Sequence, residues 1–237
     1  MKRLIIMPYV SPAYGSLDSV GVALCSIGKF LKDEHEVMVV GSKPDGLDDI
    51  KDVRWVEMAE ADRGATPHTD MVRRICLALQ LSGYPDKFCL WHDDMIAVND
   101  FAFEELDHPR AITDAILSAE DSDNYYLRDM HYTLEALRGE GITYMFNYTV
   151  HCPVVYDTSK FLELVDRFGL TSVPLDFEML YFNEQCRDPE LLKSDNNRWR
   201  LMMDDLHKPP LDKPIFIGLN NKFNNREYLD ELRALTQ

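Results

Sequence analysis

Residues 87–100 read KFCLWHDDMIAVND, and the fold turns on how that stretch is divided. Phe88-Cys89-Leu90-Trp91 is an apolar run with the length of a buried strand. It breaks at His92-Asp93-Asp94 and resumes as Met95-Ile96-Ala97-Val98. Adjacent carboxylates inside a buried strand would leave charge unpaired in the core. At the carboxyl end of a strand they lie where open α/β sheets bind their ligands. Oxygen ligands there suit a hard divalent cation, which can in turn grip a diphosphate. The same pair also serves as an ordinary turn or helix cap.

Working back from this stretch, Leu4 to Met7 reads as a first strand closed by Pro8, followed by a Pro-, Gly- and Ser-rich loop from Tyr9 to Ser16. Asp18 or Ser19 begins a helix running to about Lys32, with Val22, Leu24, Ile27, Phe30 and Leu31 as its apolar stripe. Glu36 to Val40 is a second strand and Val53 to Met58 a third. A polar loop, Asp62 to Asp70, leads to a helix capped by Thr69 or Asp70, on which Met71, Ile75, Leu77, Ala78 and Leu81 recur at helical spacing. Gly83-Tyr84-Pro85 stops it just before the opening stretch. Strand, helix and strand with short punctuation predict a parallel α/β sheet.

Working forward, helices are expected over about Pro109 to Ala119 and Ser122 to Arg138, the second carrying Tyr125, Tyr126, Met130, Tyr132 and Leu137. Ile142 to Phe146 reads as a strand and Val154 to Tyr156 as a short extension. Thr158 caps a helix running to Phe168 and closed by Gly169. Leu175 to Gln185 is helical and carries Asp176 and Glu178. Ile215 to Gly218 is a last strand, and Asn225 caps a terminal helix through Leu235. With no repeat, low-complexity run or linker, residues 1–237 read as a single α/β domain: a mostly parallel mixed sheet flanked by helices.

The 46% hydrophobic and 28% charged composition suits a globular chain that stays in water. No apolar run reaches membrane-spanning length. Pro8 interrupts the N-terminal apolar run too early for a signal peptide. Five scattered cysteines, without a Cys-x-x-Cys pair, fit a reducing cytoplasm. A formal net charge of −16 repels nucleic acid and anionic membranes at long range, and tolerates cations.

Several pieces together resemble the GT-A glycosyltransferases. The nearer likeness is to Stealth-type sugar-phosphate transferases and related phage or bacterial glycosyltransferases. In those proteins an apolar run leads to Asn-Asp-Asp-Met-Phe, and a later His-x-Pro opens the acceptor side. The matching pieces here are Cys89-Leu90-Trp91-His92-Asp93-Asp94-Met95 and His151-Cys152-Pro153, with Phe177 to Asn183 similar to the acceptor-side helix. His92 stands in place of the motif's Asn, the acids are adjacent rather than spaced, and the Arg-Ser segment expected near the N-terminus is missing. The resemblance implies a GT-A-like, Rossmann-like domain with a nucleotide-donor half, 1–100, and an acceptor half, 101–237. It implies transfer of a sugar, or a sugar phosphate, from a nucleotide-sugar donor to an acceptor hydroxyl on a glycan or on modified phage DNA. Charge speaks against the DNA.

Such transfer leaves negative charge on a departing phosphate, which a metal ion or fixed cation must meet. Asp94 is the expected ligand of Mn²⁺ or Mg²⁺, with His92 and His207 as further ligands, and Asp93 is expected on the donor ribose or sugar. Neighbouring side chains of an extended segment face opposite ways, so both acids reach one ion only if the backbone turns there. Tyr9 is positioned by sequence to stack on the base, and Arg63, Arg73 or Arg74 to reach a phosphate. Asp176, Glu178 and His151 are candidate bases for the acceptor hydroxyl. On a helix, residues two apart point apart, so only one of the two acids is expected at the site.

Two other functions are open. An HD-type metal phosphohydrolase would use His68, then His92-Asp93, then a later Asp, and would require a helix over residues 87–95. An acidic α/β interaction protein would use the acid pair only as a cap.

Overall fold

The computed structural model describes residues 2–10, 19–47, 50–59, 66–112, 124–192, 200–203, 211, 214–219 and 225–237. In chain order its elements are β1 (Arg3–Pro8), α1 (Val20–Phe30), β2 (His35–Val40), β3 (Val53–Val56), α2 (Pro67–Ser82), β4 (Lys87–Leu90) and β5 (Met95–Ala97). A 3-10 turn (Phe103–Asp107) and β6 (Arg110–Ala111) follow, then α3 (Tyr125–Gly139), β7 (Val154–Asp157), α4 (Thr158–Phe168) and α5 (Phe177–Gln185). β8 (Glu190–Leu191), β9 (Arg200–Met203), β10 (Phe216–Leu219) and α6 (Arg226–Thr236) complete the chain.

The main sheet has the order β3-β2-β1-β4-β7. Its first four strands are parallel, and β7 runs antiparallel to β4. The mostly parallel α/β architecture expected from the sequence is the one observed. The chain moves outward from β1 to β2 and β3, then returns to place β4 on the other side of β1. The order therefore reverses between β1 and β4, and such a switch point opens a crevice at the carboxyl ends of the strands. A smaller sheet, β5-β10-β9, lies beside it.

Alternation along the strands divides the interior in two. Ile5, Met7, Val37, Val39, Cys89 and Trp91 join α1, α6 and the small sheet in one core. Leu4, Ile6, Met38, Val40, Phe88 and Leu90 join α2, α3, α4 and α5 in the other. Strands covered on both faces carry unbroken apolar runs, which is why Leu4 to Met7 and Phe88 to Trp91 show no polar alternation. Truncating one of these side chains, Ile5→Ala for example, is expected to cost about 2–5 kcal/mol. β7, β10 and α6, all from beyond residue 100, pack into the first half, β7 on β4, β10 on β5 and α6 on α1.

Two side-chain details set the carboxyl ends of the strands. A Cβ on Gly41 would sit 2.1 Å from the Tyr9 carbonyl oxygen, so only glycine lets the chain close there. Arg74 is 1% exposed. It donates to Asp70 and to the carbonyls of Val40, Met58 and Ala59, binding α2 to the end of β2 and to the segment after β3.

Several local expectations are corrected. α2 begins at Pro67, with Thr66 as the cap accepting from Thr69 N, because proline at the first helical position has no N–H to leave unsatisfied. Asp157, not Thr158, caps α4 through Lys160 N. Ile142 to Phe146 forms no strand; the Phe146 backbone pairs with the Asn183 side chain instead of with a neighbouring strand. Arg110–Ala111 is strand, paired with β8, rather than the start of a helix; the rest of that expected helix, 113–119, lies outside the described residues. Residues 87–90 are strand, which removes the helix that an HD-type phosphohydrolase requires. Among the described residues no helix is long and apolar enough to cross a membrane.

Candidate functional site

β4 delivers the acid pair to the switch point, and the chain turns sharply there. Trp91 N still pairs with Ile6 O, but the Trp91 indole donates to Met95 O at 2.8 Å and Met95 N donates to His92 O at 3.0 Å. Asp93 and Asp94 occupy the turn so closed. Ser19 Oγ donates to the Asp93 carbonyl and Leu219 N to that of Asp94, so α1 and β10 both brace it. The alternating, extended geometry that would have separated the two acids is absent.

Asp94 is engaged by His151. The His151 Nε2 lies 2.7 and 2.9 Å from its two carboxylate oxygens. Burial works to raise the Asp94 carboxyl, but His151, and more weakly His92, bring it below the ordinary carboxylate value. His151 holds a left-handed backbone, φ 53°, a conformation that costs energy outside glycine and collects at functional sites. α5 steadies the loop that carries it. Asn183 brackets Phe146 through both backbone groups, and Tyr148 OH donates to the Cys186 carbonyl at 2.8 Å.

His92 stacks on His151 with ring centroids 4.2 Å apart. It is 8% exposed, and its Nε2 has no hydrogen-bond partner. The nearest carboxylate oxygen across from it is Glu178 Oε1, at 3.9 Å, which also takes the Tyr156 hydroxyl at 3.3 Å.

His92, His151, Asp176 and Glu178 line one cleft, with His68, Tyr125 and Tyr126. Asp176 precedes α5 as its N-cap, its Oδ1 accepting from Met179 N at 3.0 Å. The helical rule that would have sent Asp176 and Glu178 apart does not apply to a cap residue, and both reach the cleft. Burial pushes the Asp176 carboxyl up to about 6, with His68 pulling against that rise and Glu178 adding to it.

His68 went unassigned among the candidates for sugar transfer. Its Nδ1 is 2.8 Å from Oδ2 of Asp129, which α3 presents with no exposure. Thr66-Pro67 was the usable signal, since it starts α2 three or four residues early and puts His68 in the first turn. Nothing in the local pattern around Asp129, within Leu127 to Leu134, marks it as a partner.

The remaining candidates are placed elsewhere. Tyr9 is 1% exposed and packs edge-on against Trp55 in the core, so its ring is not available to stack on a base. Arg73 donates to the Thr171 carbonyl after α4, and Arg74 is committed to the strand ends. Asp93 is half-buried in the turn. Arg63 and His207 lie outside the described residues. The His151 Nε2 lies against both oxygens of Asp94, the expected metal ligand. Among the described residues no three His, Cys, Asp or Glu side chains are placed to hold an ion.

No protein-family model and no curated protein matches the chain. Among solved structures it is similar to the crystal structure of an active-site mutant of LgtC, a GT-A glycosyltransferase, at TM-score 0.46 and 14% identity, over 98% of this chain and 95% of that one. That likeness assigns no residue and no chemistry to this chain.

Proposed function

We propose that this chain is a glycosyltransferase that moves a sugar, or a sugar phosphate, from a nucleotide-sugar donor to an acceptor hydroxyl. One observation carries the proposal: Asp94 and His151, 57 positions apart, meet at 2.7 Å at the sheet's switch point. They belong to the two motif pieces, His92-Asp93-Asp94-Met95 and His151-Cys152-Pro153, on which the family resemblance rests. The crevice at the carboxyl ends of β1 and β4 is where a nucleotide would lie. His151 and His92 supply nitrogen donors close to where a departing phosphate would gather charge. Asp176, Glu178 and His151 line the cleft as candidate bases for the acceptor, and a glycan suits a protein of net charge −16 better than DNA does. A cytoplasmic location belongs to the same proposal and agrees with five scattered cysteines that form no Cys-x-x-Cys pair.

The test is binding followed by turnover. UDP-, GDP- and CDP-sugars are screened for a rise in melting temperature with and without Mn²⁺ or Mg²⁺, which reads donor choice and metal dependence together. At least one donor is expected to stabilise the protein, and Asp94→Ala is expected to abolish turnover at nearly unchanged melting temperature. Failure of every donor to shift the transition, or full turnover by the variant, would remove the proposal.

A further inference from the structure

The deepest pair in the cleft wall has the geometry of an oriented base. A carboxylate only accepts hydrogen bonds, so the 2.8 Å contact with Asp129 places a hydrogen of His68 on Nδ1, and in the neutral ring the lone pair is then on Nε2. Nε2 then stands 3.9 Å from Asp176 Oδ2, too far for a direct bond. The other Asp176 oxygen is held by Met179 N, and the Asp176 backbone N–H by Thr133 Oγ1, whose own hydrogen goes to the Asp129 carbonyl. His68 also stacks on Tyr126, with centroids 5.7 Å apart. Position and tautomer are thus set by α3 and by the start of α5.

We propose that His68 Nε2 takes the proton of the acceptor hydroxyl, with Asp129 as its positioning residue; this rests on the glycosyl-transfer proposal. The hydroxyl O–H bond breaks and its proton passes to Nε2. The oxygen forms a bond to the donor's anomeric carbon, and the carbon–oxygen bond to phosphate breaks, its electron pair leaving with the nucleoside diphosphate. The resulting imidazolium lies between two carboxylates, Asp129 at 2.8 Å and Asp176 at 3.9 Å. The other titratable groups around it are Tyr126 and Tyr125 on α3, Glu178 on α5, and His92 and His151 across the cleft.

Two measurements on the full chain test this. Long-range ¹H–¹⁵N spectra near neutral pH report the imidazole tautomers; His68 is expected as Nδ1–H, and Asp129→Asn is expected to change that signal. Release of nucleoside diphosphate from UDP-, GDP- and CDP-sugars, with water as acceptor, gives the kinetics. His68→Asn keeps an N–H for Asp129 but has no base, and should lower kcat about 10²–10⁴-fold. KM and the donor-induced thermal shift should hold. An Nε2–H tautomer, or wild-type kcat in His68→Asn, overturns the role of His68 alone. No release from any donor by the wild type overturns the glycosyl-transfer proposal and the role of His68 with it.

Discussion

The two histidine–carboxylate pairs of this site have nearly the same length and opposite settings. His151 and Asp94 meet at 2.7 Å with side chains 36% and 30% exposed, on a left-handed loop position and a tight turn. His68 and Asp129 meet at 2.8 Å with side chains 11% and 0% exposed, on two helices. Solvent competes for the first pair, which lets its carboxylate change partners as a ligand arrives. Water is kept from the second, whose worth lies in holding one ring in one orientation. Breaking a buried pair leaves a charge without compensation, whereas an exposed pair contributes little to stability.

The largest effect on folding should come from the deep pair. Asp129→Ala is expected to lower unfolding free energy by about 3–5 kcal/mol, read by urea denaturation. A loss as small as that of an exposed pair would erase the contrast.

Asp176, beside the deep pair, sharpens the comparison through pH. Its folded value, about 6, lies above its unfolded value, so its favourable contribution is complete below about pH 4 and is lost as pH rises through about 6. Asp176→Asn keeps a cap oxygen but does not titrate. Its stability relative to wild type should therefore improve between pH 4 and pH 7, by an amount on the order of 2 kcal/mol. A constant difference across that range would contradict the assignment.

Asn183, which bridges α5 to the loop presenting His151, comes next. Asn183→Ala leaves the Phe146 N–H without its acceptor and should cost about 1–3 kcal/mol, together with weaker donor binding if the loop orders His151. Smallest of all is the stability change in Asp94→Ala, about 0–1 kcal/mol. Asp94's value is lowered on folding, so what stability it adds is present above the ordinary carboxylate range and fades as pH falls through that lowered value. A large stability loss in this variant would make the shallow pair structural.

The course from residue 3 to residue 111 was largely legible in the chain, and its failures are instructive. Apolar runs such as Leu4 to Met7 and Phe88 to Trp91, and the helical spacing from Met71 to Leu81, carry their periods locally. The missed start of α2 lay in Thr66-Pro67, a cap signal outweighed by the more polar Thr69-Asp70. Ile142 to Phe146 looked like a strand because its composition is a strand's, yet a side chain rather than a neighbouring strand satisfies Phe146.

The amino-acid order by itself determined that a buried strand ends in two acids at its carboxyl end. That follows from short-range physics: apolar runs, turn residues and the cost of charge in a core all act within a few positions. Only the tertiary structure decided that Asp94 would take His151 as a partner, that Asp129 would orient His68, and that Tyr9 would be core. The members of those two pairs stand 57 and 61 positions apart, and no local preference specifies which helix or loop docks against which. Packing on the two faces of the sheet makes that choice, and with it the site.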